Sequence, residues 1–308
     1  MKCQHLFFLL LLTTFTPQLH SQINWSDSTA QAITYWNIGD TLAYEVAIEK
    51  IKIQDRDTSA HETIMYDVII SVIDSTADSY LVEWAYQNFQ TEGVNPLTAR
   101  LAKIFDNIQV RFQTDEMGTI QQVINWEKVR DYSYSLIDQI ISEAGQLSQI
   151  RAVLEAAKSP LASELGIRNS SIQDAQQFHS FYGVAYSLGE ILRGEIDVPN
   201  LYFPGETMNG KFELELTEID HENESYTLRY EQIVDPDDLR DVTIRYLRTL
   251  DLPEEAYEEI DKIGELSNTV STQSEFHDSG WILNSRQEKN VRTDGNINLE
   301  IRTIVLKD

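Results

Sequence analysis

The sequence predicts an α+β fold: a curved antiparallel sheet built from two similar strand-rich halves, with a helical insertion of about three helices packed on it. Three observations carry that expectation. Tyr66 to Tyr86 and Phe212 to Gln232 read as versions of one amphipathic hairpin. Between them, from Trp126 to about Arg193, apolar residues recur at helical spacing. No Pro-, Gly- or Ser-rich linker separates the two kinds of sequence, so a single domain is expected over 22–308. Within it, 22–125 is the first strand-rich half, 126–203 the helical insertion and 204–308 the second half.

The chain opens with a leader. Lys2 supplies a positive n-region, Leu6 to Leu12 an unbroken apolar run, and Ser21 a small residue just before Gln22. This is the layout of a secretory signal peptide over 1–21, and its apolar run is too short to span a bilayer. The mature chain is expected to begin near Gln22 and to be exported, to the periplasm or beyond the cell. Cys3 lies too early for lipidation and is the sole cysteine, so no disulfide, thiolate metal site or cysteine nucleophile is expected after cleavage. No later stretch reaches 18 apolar residues, so no transmembrane anchor is expected.

Each half then follows one order. A strand opens after Gly39-Asp40 with Tyr44, Val46 and Ile48 on one face. Its apolar parity shifts to Ile51 and Ile53, which predicts a bulge near Lys50. In the hairpins, Tyr66, Val68 and Ile70 match Phe212, Leu214 and Leu216, and Tyr80, Val82 and Trp84 match Tyr226, Leu228 and Tyr230. Glu213, Glu215 and Thr217 fall between apolar residues, the period-2 mark of a half-buried strand. A short helix follows each hairpin, Leu97 to Phe105 and Asp237 to Leu250. Paired strands come next, turning at Asp115-Glu116-Met117-Gly118 and at Asp278-Ser279-Gly280, where glycine supplies positive φ. Ile297, Leu299 and Ile301 alternate along a last strand ending at Leu306.

In the insertion, Val129, Tyr132, Leu136 and Ile140 form one helical stripe. Leu147, Ile150, Val153 and Leu154 begin a second, and Phe178, Phe181, Tyr182 and Tyr186 form a third. Gly145 and Gly166 read as helix stops, and Asn169 and Ser170 as N-caps for the third helix.

The usual catalytic signatures are missing: no nucleophile elbow, no S-x-x-K set and no glycine-rich phosphate loop. His61-Glu62 begins like a zinc-binding H-E-x-x-H, but Met65 stands where the second ligand is needed. His61, His179, His221 and His277 lack ligand spacing and read as surface residues. Asp235-Pro236-Asp237-Asp238, with Asp241, lacks the glycine and bidentate glutamate of a calcium loop. It reads instead as a helix start, with Asp235 as cap and Pro236 in the first turn. No catalytic residue, metal site or cofactor is therefore assigned.

Charge narrows the partners. Against 24 Lys and Arg stand 50 Asp and Glu, a net charge of −26, which repels nucleic acid and anionic lipid surfaces. The remaining lead is aromatic. Trp84, Tyr86 and Phe89 crowd one strand, and Phe178, Phe181, Tyr182 and Tyr186 share one face if their segment is helical. Both sets either pack the core where helix meets sheet or line an apolar cavity, and the helix set supplies the candidate ligand-binding residues.

The serine-glutamine boundary Ser21-Gln22, the opening at Gly39-Asp40 and the turn from Phe276 to Trp281 resemble uncharacterised secreted proteins of Gram-negative Bacteroidota. In the order of its elements the chain is more distantly similar to periplasmic lipoprotein carriers, whose curved sheets hold an acyl chain under covering helices. Neither resemblance assigns a functional residue. Two functions are expected. One is an exported non-catalytic protein binding an apolar small molecule or an envelope protein. The alternative is a secreted hydrolase with a carboxylate pair, which leaves no local signature. Convergent carboxylates in a cleft would favour the hydrolase, and an apolar cavity the binder.

Overall fold

The computed structural model describes residues 22–143, 151, 154–200, 202–203, 205–250, 264, 266–293 and 295–307. The leader 1–21, together with Gly145, Leu147, Ile150 and Val153 of the second helical stripe, lies outside the described residues.

Two sheets are present. β1 (Ile23–Asn24), β2 (Thr29–Gln31) and β8 (Ala185–Ser187) form a small one. The large one takes β3 (Thr41–Gln54), β4 (Asp57–Ser75), β5 (Ser79–Glu92), β6 (Gln109–Asp115) and β7 (Ile120–Val123) from the first half. From later in the chain come β9 (Ile191–Pro199), β10 (Thr207–Asp220), β11 (Ser225–Val234), β12 (Ser267–His277), β13 (Ile282–Thr293) and β14 (Asn296–Leu306). All eleven strands join one antiparallel sheet in the order β7-β6-β5-β4-β3-β14-β13-β12-β11-β10-β9, so the last strand seams the two meanders at β3.

The fold is mostly β and corrects the α+β expectation: strands take 52% and helices 23% of the described residues. Two physical reasons account for the difference. Asp55 and Arg56 both take positive φ, which closes a tight β3–β4 turn and lets β4 run for 19 residues. The expected helical insertion also contains strand: β8 and β9 lie inside 126–203. The helices there are α2 (Trp126–Glu143), α3 (Glu164–Ser171) and α4 (Gln173–Phe178), alongside α1 (Pro96–Ala102) before them and α5 (Pro236–Leu247) after.

Several local expectations are revised. β3 runs through Lys50 in unbroken register with Glu62 and Glu300, and its irregularity falls later, between Lys52 and Ile53. Ile51 and Ile53 lie on the opposite face from Tyr44 and Val46, partly exposed. Asn169 and Ser170 lie inside α3, which Ser163 caps. The helix they are expected to cap, α4, starts after Ile172 with no side-chain cap. Gly166 is in α3 rather than stopping a helix. The two hairpins share their inward faces but not their pairing. Ile70 faces Trp84, whereas the matching Leu216 faces Leu228, since the first hairpin turns after the Ser75–Tyr80 pair and the second one residue earlier in the matched sequence, after Asp220–Ser225. Asp235 does cap α5, accepting from the Asp237 and Asp238 backbone N–H groups, with Pro236 in the first turn.

One face of the large sheet carries the core. Tyr44, Val68, Ile70, Trp84, Phe112 and Phe276 are buried there beneath α2 to α4 and residues 22–36. Each such side chain contributes roughly 1.5–3 kcal/mol. Two turns fit the covering segments so closely that only glycine works. A Cβ on Gly118 (φ +107°) would lie 2.5 Å from Thr34 Cγ2, and one on Gly280 (φ +86°) 2.7 Å from the Ile33 carbonyl oxygen. A separate small core of Met208, Val234, Leu239 and Val242 fixes α5 to the far end of the sheet.

Candidate functional site

The covered face of the sheet opens into a cleft of about 300 Å³ near α1. Its floor is Ile48 of β3, Ile64 and Tyr66 of β4, and Tyr86 and Phe89 of β5. Leu101 and Ala102 of α1 and the following Phe105 form its roof. Gln173, Asp174 and Arg302 close one end with polar groups.

Local chain geometry puts each of these in place. Val82, Trp84 and Tyr86 face the core at alternate positions, so unbroken alternation would send Phe89 to the other face. A bulge prevents this: Asp67 pairs with Gln87 and Met65 with Gln90, while Asn88 takes φ +62°. Phe89 is thereby turned onto Tyr66, with ring centroids 4.5 Å apart and planes 11° from parallel. Asn95 accepts hydrogen bonds from the Leu97 and Thr98 backbone N–H groups, and with Pro96 it starts α1 so that Leu101 overhangs the floor.

The polar end is built from α4 and β14. Asp174 is buried and accepts from the Tyr66 hydroxyl at 2.9 Å, the Tyr86 hydroxyl at 3.0 Å and the Ala175 N–H at 2.9 Å. Burial pushes its carboxyl above the usual range, opposed by the nearby Arg302 charge. Burial, reinforced by Asp174, also holds both phenols far above their ordinary value, so they stay protonated donors. Arg302 pairs across the sheet with Ile48 on one side and Gln287 on the other. Its Nη2 donates to Gln173 Oε1 at 2.9 Å and to Glu300 Oε1 at 3.1 Å. Nε and Nη1 are buried with no partner among the described residues.

The sequence-derived candidates lie elsewhere. Phe178 ends α4, Phe181 and Tyr182 fall in the turn after it, and Tyr186 is in β8, so no single helix carries all four. All are buried. Phe178 packs edge-on against Tyr44 and Trp84, and Phe181 and Tyr182 pack edge-on against Phe276. The Tyr186 hydroxyl donates to the Phe181 carbonyl. None of the four lines the cleft. Tyr86 and Phe89, from the aromatic strand that the sequence points to, do line the cleft, whereas Arg302 and Asp174 escaped the sequence reading. The one sequence signal for them was the alternation of Glu300, Arg302, Ile304 and Leu306. On β14 that set faces the core, and Ile297, Leu299 and Ile301 face the other way, partly exposed.

His179 is buried as well, contrary to the surface reading, with Nδ1 2.6 Å from the Gly118 carbonyl oxygen. Burial pushes its imidazole down to about 4. Between pH 6.5 and about 4 the unfolded chain binds a proton that folded His179 does not. Its contribution to stability is thus complete above that window and is lost as pH falls through it. An NMR titration is expected to find the His179 ring neutral at pH 5; an ordinary midpoint would contradict its burial.

No group of three or more histidine, cysteine, aspartate or glutamate side chains converges as a metal site among the described residues. No described helix is long and apolar enough to cross a membrane. In comparisons with known proteins, no family model and no curated protein matches the chain. Among solved structures it is similar to a lipovitellin chain from a study of lipid–protein interactions in lipovitellin, at 12% identity and a TM-score of 0.40. The match covers 88% of this chain and 25% of that one, so this chain spans about a quarter of that chain's length.

Proposed function

We propose that this protein binds an apolar small molecule in the cleft beneath α1, as an exported, non-catalytic binder. The observation that carries this reading is the cleft itself: aliphatic and aromatic side chains make up most of its floor and roof, with Thr98 the polar exception in the roof, and its charged groups are Asp174 and Arg302 alone. Its volume, about 300 Å³, lies at the lower bound for ligand sites. The hydrolase alternative needs a second acid. Asp174 is the one carboxylate in the lining, and both its oxygens are already occupied by Tyr66, Tyr86 and Ala175. Export is supported by the three-part leader pattern in the sequence and by Gln22, whose buried side chain accepts from the Tyr226 hydroxyl at 2.6 Å. The first residue after the expected cleavage point is thus already built into the fold.

Nile red, a neutral fluorescent probe, tests the binding. Saturable uptake is expected in the wild type, and Leu101→Trp, which fills the cleft, should abolish it while leaving the circular dichroism spectrum unchanged. Wild-type protein that takes up no probe would overturn the reading in favour of a protein partner. N-terminal sequencing of the native protein tests export: a start near Gln22 is expected, and a start at Met1 would refute it.

A further inference from the structure

Arg302 is expensive to place where it lies. It is 4% exposed, and a guanidinium carries five N–H donors in a rigid fork. The Nη2 group is satisfied by Gln173 and Glu300, but the single N–H of Nε and the pair on Nη1 face no acceptor among the described residues. Buried donors on a charged group are rarely left so unless something else supplies the acceptor. Resting on the binding reading above, we propose that Arg302 anchors the carboxylate of a single-chain amphipathic acid whose tail lies along the apolar floor of the cleft.

The strand register places the charged groups around this end. On the same face of the sheet, Glu300 stands between Lys50 and Lys289 in one cross-strand row, next to the row that holds Arg302. Lys50 Nζ is 3.8 Å from Glu300 Oε2, and Lys289 Nζ donates to Gln173 Oε1 at 3.3 Å. Glu62 pairs with Lys50 in the same row, so Arg302, Lys50 and Lys289 meet three carboxylates, Glu62, Glu300 and Asp174. Burial favours the neutral forms of both Asp174 and Lys289, so the case for an anion rests on the unpartnered donors of Arg302. Away from the guanidinium, Ile64, Phe89, Leu101 and Phe105 offer no charge and suit a hydrocarbon tail. A carboxylate fits better than a phosphate, because a doubly charged head would sit against Asp174 and Glu300.

Displacement of Nile red by decanoic acid, 1-decanol and decyl phosphate tests the anchor. Decanoate is expected to bind the wild type at least tenfold more tightly than decanol, and more tightly than decyl phosphate. Arg302→Gln should erase the preference for decanoate over decanol. Equal binding of decanoate and decanol, with Nile red still taken up, would overturn the anchor and spare the binding reading. Tighter binding of decyl phosphate would overturn the choice of carboxylate. Failure of all three ligands and of Nile red would remove both readings together. The wild-type comparison decides the matter even if Arg302→Gln does not fold.

Discussion

Phe181→Ala is expected to cost about 3–5 kcal/mol of folding stability and to leave uptake of Nile red in the cleft unchanged. The ring is 1% exposed and meets Phe276 edge-on at 6.1 Å between centroids. Its backbone is fixed too, since its carbonyl accepts the Tyr186 hydroxyl at 2.9 Å. Removing the ring therefore leaves a void that the surrounding turn cannot close by moving. Urea denaturation gives the loss in stability, and probe titration gives the binding. The two assignments for the aromatic cluster separate here. A loss below about 1 kcal/mol together with loss of uptake would mean that the ring lines a ligand cavity and not the core.

The cluster also shows how far the sequence could be read. The hairpins were legible because a half-buried strand writes its burial into every second residue, and Tyr66, Val68 and Ile70 do face the core. Helical spacing was a poorer guide at Phe178, Phe181, Tyr182 and Tyr186. Their density comes from a short helix, a turn and a strand converging on one core, and Gly183, at φ +95°, sits in that turn. On β14 the pattern was a poor guide, because Ile297, Leu299 and Ile301 lie on the partly exposed face and the buried face carries Arg302 beside Ile304. The cleft was illegible for a different reason. Phe89 reaches it through a bulge centred on Asn88, and Asp174 and Arg302 meet only after the sheet has closed β14 onto β3. Neither event leaves a local spacing to find.

Asp174 gives the second large expected effect, and it depends on what replaces the side chain. Asp174→Ala leaves two buried tyrosine hydroxyls and the Ala175 N–H without their acceptor. Each unsatisfied donor costs roughly 1–3 kcal/mol, so a total of about 3 kcal/mol or more is expected at pH 7. Asp174→Asn should behave differently. Its carbonyl oxygen can accept from one tyrosine while its amide donates to the oxygen of the other, so stability at pH 7 should stay within about 1 kcal/mol of the wild type. The pH profile then isolates the charge. Because the folded carboxyl is raised above its unfolded value, the folded state takes up its proton first on acidification. Wild-type stability should therefore improve relative to Asp174→Asn as pH falls through the folded pKa, and level off below the ordinary value of 3.8. This is opposite in sign to the contribution of His179, which both proteins share and which cancels in the difference. Urea midpoints of the two proteins from pH 8 to pH 4 measure it. If Asp174→Asn instead lost as much as Asp174→Ala at pH 7, the ionised carboxylate would itself be required. The nearby Arg302 would then be its principal counter-charge and would have less to offer an acid in the cleft. A pH-dependent difference of the expected sign leaves the guanidinium with donors to spare, as the anchoring of a carboxylate needs.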